Sequence, residues 1–153
     1  MTEHEHWMRI ALQEASLAGI ANEVPVGAVV VRNGVLLAQA GNRRIRDADP
    51  TAHAEILVLR AVAAVLGDWR LNECTLYVTL EPCPMCAGAI LLARLATVWY
   101  GASDPHMGCC GSVYSIPEDP AWGASTTVNG GLLAVECAAL LNAFFVSKRE
   151  ENR

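Results

Sequence analysis

No stretch of this sequence approaches the ~18 uninterrupted apolar residues of a membrane-spanning helix, because Arg and Glu break every apolar run. A helical membrane protein is excluded and a soluble one expected. Basic residues are also scarce: 11 Lys and Arg stand against 16 Asp and Glu, a net charge of −5. Broad nonspecific binding to nucleic acid needs cations in quantity, so any nucleic-acid footprint must be small and local. The start, Met1 to Trp7, is acidic and polar and lacks the basic-then-apolar order of a secretory signal, so a cytoplasmic location is expected. Linkers, repeats and low-complexity segments are absent too. The 153 residues suit one domain, residues 1–153, that buries roughly two-thirds of its surface.

Among six cysteines there is a single Cys-x-x-Cys, formed by Cys83 and Cys86. Cys74, Cys137 and the adjacent Cys109-Cys110 do not supply a second, so a structural zinc ribbon lacks its other half. A chain 53% hydrophobic does not need the disulfide staples of small secreted domains, and reduced thiols are expected.

Met8, Ala11, Leu12, Ala15 and Ala18 recur at helical spacing and predict an amphipathic first helix ending near Gly19. Gly27 to Val31 and Val35 to Ala40 flank Asn33-Gly34, the strongest short hairpin signal. An Ala/Leu/Val-rich helix is expected from Ala52 to Leu66, ending at Gly67, with His53 and Glu55 in its first turn. Cys74 to Leu80, Cys83 to Leu95 and Thr97 to Gly101 read as strand, helix and strand, which implies a parallel pair and hence a mixed α/β sheet. Ser103 to Gly131 is rich in Gly and Pro, with a short strand around Thr126 to Val128, and reads as a functional loop. Leu133, Cys137, Leu140, Leu141 and Phe144 mark one face of a last helix running into Lys148-Arg149.

His53, Cys83 and Cys86 supply three zinc-type ligands and no fourth. Structural zinc sites close with four protein ligands, whereas catalytic ones keep a position open for water. The i, i+3 spacing puts both sulfurs on one helix face, and Pro84 suits the first helical position. The helix N-terminus favours thiolates, and two thiolates neutralise one zinc ion while a neutral His53 adds no charge. Glu55 cannot share the face of His53 on an ideal helix, but its side chain is long enough to reach the activated water and shuttle its proton. Other readings of the same residues are a redox pair and a zinc-stabilised interaction subunit, neither of which needs Glu55. Glu81 is a rival acid or base, but its place at a strand end suits a hydrogen-bonding structural role. His4 and His6 in the polar terminus and His106 in the long loop read as solvated surface groups.

His-x-Glu followed by Pro-Cys-x-x-Cys is the signature of zinc nucleobase deaminases. Glu23-Val24-Pro25-Val26-Gly27-Ala28, Asn42-Arg43, Asp49 to Glu55, Thr75 to Cys83, Met85 to Ala89 and Glu136 to Leu141 resemble the bacterial tRNA-specific adenosine deaminases, almost from end to end. The resemblance implies a cytidine-deaminase-like three-layer α/β/α sandwich with a five-stranded mixed sheet, usually a homodimer, holding one Zn2+ per chain. It implies a hydrolase that converts the wobble adenosine in the anticodon stem-loop of an arginine tRNA to inosine. His53, Cys83 and Cys86 would be the ligands and Glu55 the proton shuttle for water attacking C6. Asn42 would bond the base, the Ala54 backbone would contact it, and Asp104 would contact the ribose or a neighbouring nucleotide. Phe145 would stack on or shape the substrate groove. Arg43, Arg44 and Arg46, with Lys148, Arg149 and Arg153, would offer local phosphate contacts. Gly41, where some relatives place an aromatic residue, and the variant loop Pro105-His106-Met107 with Cys109-Cys110 leave an alternative substrate, a free purine as in guanine deaminase.

Overall fold

The computed structural model describes residues 1–123 and 126–153. Its elements follow in the order α1 (Glu3–Ile20), β1 (Gly27–Arg32), β2 (Val35–Gly41), α2 (Ala54–Leu66), β3 (Cys74–Leu80), α3 (Pro84–Leu92), β4 (Thr97–Ala102), β5 (Thr127–Asn129) and α4 (Ala134–Glu151). The Asn33-Gly34 turn between β1 and β2 has φ of 51° and 73°, the left-handed values that a tight hairpin turn requires. The five strands form one sheet in the order β2-β1-β3-β4-β5. β1 runs antiparallel to β2 and β3, while β4 is parallel to β3 and to β5. The mixed sheet read from the sequence is therefore the observed one.

Helices cover both faces. α1 lies across β1, β2 and β3 and meets α4, whereas α2 crosses β1 and β2 on the other side and meets α3. The α1 face is made of small residues, with Ala11, Ala15 and Ala18 buried, so the helix backbone can sit almost on the sheet. Gly27 completes that approach, because a Cβ there would collide with the Ala11 carbonyl and the Ala15 amide. Val29, Val30, Leu76, Val78 and Val98 fill the centre with no exposed surface.

Several boundaries differ from the sequence expectation, and the differences matter at the site. The second helix starts at Ala54 instead of Ala52, which makes His53 its N-cap, outside the first turn. The third starts at Pro84, leaving Cys83 as N-cap, and stops at Leu92 instead of Leu95, where Arg94 turns to a φ of 63°. The long loop contains one 3-10 turn at Pro120–Trp122, and its short strand lies at Thr127–Asn129. Among the described residues, no helix is long and apolar enough to cross a membrane.

The close seating of α1 has a direct test. Gly27→Ala should force the helix off the sheet and cost about 1–3 kcal/mol, the usual penalty of overpacking, measured by urea unfolding. Unchanged stability would contradict the packing described.

Candidate metal centre and active site

Two helices begin at one place. His53 caps α2 with φ −72° and ψ 151°, and Cys83 caps α3 with φ −73° and ψ 176°; neither side chain makes a capping hydrogen bond. Freed from that task, the two side chains face each other. His53 Nδ1 lies 3.6 Å from Cys83 Sγ and 3.5 Å from Cys86 Sγ. The three donor atoms fall within 4.8 Å of one another and could hold a metal ion. Cys86 occupies the third position of α3, the residue an N-cap side chain naturally reaches, so the Cys-x-x-Cys spacing joins both sulfurs through ordinary capping geometry. The extended backbone at His53 also lifts the objection that His53 and Glu55 cannot share a helical face. His53 N donates to Thr51 O at 2.8 Å, and Thr51 is tied through its own N and Oγ1 to Asp49 Oδ1 at 2.8 and 2.7 Å, which braces the approach to the cap.

Protons are shared among these three donors. The Cys86 thiol donates to Cys83, which with His53 pulls the Cys83 thiol down to about 4. The Cys86 thiol is pushed up because it is the donor in that bond, and His53 is raised by its own bond to Cys83. Thiolate and neutral imidazole are the ligating forms, so His53, Cys83 and Cys86 would release those protons on holding a divalent cation.

Glu55 is 3% exposed, and its Oε1 is a buried oxygen without a hydrogen-bond partner. Burial pushes its carboxyl up to about 7. An orphaned carboxyl oxygen of this kind is costly and calls for an explanation. Here it borders a cavity of about 390 Å³.

The cavity gathers most of the residues singled out by sequence: Asn42, His53, Ala54, Glu55, Cys83, Asp104 and Phe145 all line it, with Cys86 buried behind. Asn42 is also a turn residue, its Nδ2 donating to Val24 O and its Oδ1 accepting from Arg44 N, which leaves one N–H and one lone pair free. Asp104 Oδ1 accepts from the amides of His106 and Met107. Val24, Val26 and Leu80 form apolar walls that sequence reasoning did not assign, since nothing in an apolar run separates a pocket valine from a core valine, and Met107 of the variant loop joins them. Of the Arg43, Arg44 and Arg46 run only Arg44 lines the cavity; Arg43 pairs with Asp47 and Arg46 with Glu23. Lys148 is bonded to Asn22 and Glu151. His4 is not free in solvent: it stacks on Trp99 at 4.2 Å and bonds the Tyr77 hydroxyl at 2.7 Å.

Glu23 fixes the loop after β2. It is fully buried and accepts from Ile45 N, Arg46 N and Arg46 Nε at 2.9, 2.8 and 3.2 Å. Burial opposes ionisation there, yet the amides of Arg46 and Ile45 hold the carboxyl below its ordinary value.

Residues 1–102 match the cytidine and deoxycytidylate deaminase zinc-binding region. The chain belongs to that deaminase family. The Bacillus subtilis (strain 168) tRNA-specific adenosine deaminase is 44% identical over all of this chain and 95% of its own length. A solved structure from a study of A-to-I editing by tRNA:A34 deaminases at the wobble position of transfer RNA superposes with a TM-score of 0.85 at 46% identity, over 89% of this chain and 99% of that one. The guanine deaminase of Nitrosomonas europaea is more distant, with a TM-score of 0.79 at 27% identity over 94% of this chain and 85% of that one. The three-layer α/β/α sandwich expected from the sequence is the fold of this family member.

The raised Glu55 value carries a stability prediction. Between pH about 4.5 and about 7 the folded chain holds a proton that the unfolded chain has lost, so stability falls as pH rises through that window. Glu55→Gln removes the cost of the buried charge. In chelator-treated protein it should add on the order of 3 kcal/mol to the unfolding free energy at pH 8 and almost nothing at pH 4, measured in urea. Equal effects at both pH values would contradict the burial argument.

Proposed function

We propose that this chain is a zinc-dependent hydrolytic deaminase that converts the wobble adenosine of a tRNA anticodon, an arginine tRNA by resemblance, to inosine. The observation that carries the reading is the unpartnered Oε1 of Glu55, which lines the same cavity as a His53, Cys83 and Cys86 donor set that no fourth protein ligand joins among the described residues. One imidazole and two thiolates suit Zn2+, one ion per chain, and three ligands leave a position for water. When bound, zinc supplies the Lewis acidity that makes water a nucleophile near neutral pH.

The chain's own groups do the rest. Glu55 Oε1 would take one proton from the attacking water and deliver it to N1 as the hydroxyl adds to C6; it would then take the proton of that hydroxyl and pass it to the amine as the C6–N bond breaks, so adenosine and water become inosine and ammonia. A carboxyl poised at about 7 is matched to that work. The free N–H and lone pair of Asn42 and the main chain of Ala54 would read the base edge, and the Asp104 carboxylate would hold the ribose or an adjoining nucleotide. Val24, Val26 and Leu80 keep the base dry. Phe145, 45% exposed at the cavity, would stack on a splayed nucleotide, and Arg44, which also lines the cavity, would meet its phosphate. Acting on a base in a loop requires taking it out of the stack, which the cavity's open side permits.

The identity of 44% over the whole chain to a tRNA-specific adenosine deaminase supports this substrate above a free purine, since the guanine deaminases reach 27% over 94% of the chain or 40% over only 67% of it. By the same resemblance the full chain works as one deaminase domain, as a cytoplasmic homodimer whose partner is the tRNA anticodon stem-loop.

An arginine-tRNA anticodon stem-loop incubated with zinc-loaded protein should yield inosine at the wobble position. Glu55→Ala should lower the rate about 10²–10⁴-fold while zinc content stays unchanged. An inert stem-loop with turnover of guanine would transfer the function to free purines. A chelator should abolish activity and leave the fold intact; unfolding on chelation would instead mark a zinc-stabilised interaction module.

A further inference from the structure

We infer that Glu81 is a positioning residue that sets substrate affinity, by clamping the 104–112 loop to the strand end that carries the metal ligand Cys83. This rests on the deaminase reading above and extends it to a residue outside the reacting groups. Glu81 follows β3 directly and is 2% exposed. Its Oε1 accepts from Asp104 N at 3.0 Å and from the Ser112 hydroxyl; its Oε2 accepts from Cys110 N at 3.1 Å and Ser112 N at 2.9 Å. One carboxylate therefore satisfies both ends of the loop. The same two-residue stretch fixes the loop through the main chain, where Glu81 N donates to Ala102 O and Cys109 N donates to Pro82 O.

The segment from Asp104 to Ser112 has no helix or strand to satisfy its amides, and Cys110 is buried, so without Glu81 its N–H would lose its acceptor away from water. Asp104 and Met107, carried on this loop, line the cavity together with His53, Glu55 and Cys83, and Glu81 itself reaches its wall. Its backbone sets where Cys83 begins α3, and its side chain sets where Asp104 stands, so the distance between substrate contact and reacting centre is fixed through one residue. Small misplacements of a positioning group weaken an oriented complex strongly. Gly108 shows how tightly the clamp closes, since a Cβ there would collide with the Glu81 carboxyl and with Asp104 O.

Two variants reach the clamp by different routes. Glu81→Gln keeps one acceptor but turns an amide NH₂ towards the Cys110 and Ser112 donors. Gly108→Ala leaves Glu81 in place and pushes the loop away from it. On whichever substrate the wild type turns over, stem-loop or free purine, each should raise KM by about tenfold with kcat within about threefold and zinc content unchanged. The double variant should show less than the product of the single effects, because both break one contact. Loss of kcat at constant KM, loss of zinc, or a fully multiplicative double variant would overturn the inference. A wild type inert on the stem-loop refutes the tRNA substrate alone. Amide hydrogen exchange then reads the clamp without substrate: Asp104, Cys110 and Ser112 should lose protection in both variants while Val98 and Tyr100 keep it, and retained protection at the three loop amides would refute the clamp.

Discussion

The arrangement depends on two helices that start at the same point with their cap side chains turned away from capping. Ser, Thr, Asp or Asn at an N-cap ordinarily satisfies one of the exposed helix amides. At His53 and Cys83 that stabilisation is forgone, and the extended cap backbone aims an imidazole and a thiol across a gap of 3.6 Å. Both helix N-termini place their positive ends at the centre, which favours thiolate and any anion formed there. The central sheet makes the meeting possible: β1 and β3 are adjacent and buried, α2 lies over β1, and α3 follows β3 without a long connection. The close seating of α1 on the opposite face keeps that sheet in place.

Three buried glutamates show how one residue type takes three roles by environment. Glu23 receives backbone and guanidinium donors and orders the loop carrying Asn42 and Arg44. Glu81 receives four neutral donors and orders the opposite loop. Glu55 has an oxygen that receives none. The two satisfied carboxylates hold the walls, and the unsatisfied one faces the space between them. Among these three carboxylates the unsatisfied one is the group the proposed chemistry uses.

The periodicities of α1, α2 and α4, the Asn33-Gly34 hairpin and the β3-α3-β4 order were legible because each rests on local chemistry: spacing of apolar residues, a left-handed turn and a helix-starting proline. The donor set was legible for the same reason, since Cys83, Pro84 and Cys86 lie within one turn and His53 just before another. Cap positions were less so, because the shift of His53 from first turn to N-cap depends on Thr51 and Asp49 bracing the chain. The apolar cavity walls and the pairing of Arg46 with Glu23, 23 residues away, depend on long-range packing, which a pattern of residue types does not encode. Glu81 was legible as a hydrogen-bonding residue from its place at a strand end, but its four donors lie 23 to 31 residues further along.

A three-ligand centre with one position left open is the claim on which the chemistry stands, and zinc K-edge X-ray absorption of protein loaded with one equivalent of zinc tests it directly. The expected spectrum has two sulfur neighbours at about 2.3 Å and two nitrogen or oxygen neighbours at about 2.0–2.1 Å, one of them exchangeable solvent. A third sulfur neighbour, recruited from Cys109 or Cys110, would close the tetrahedron and contradict a catalytic site.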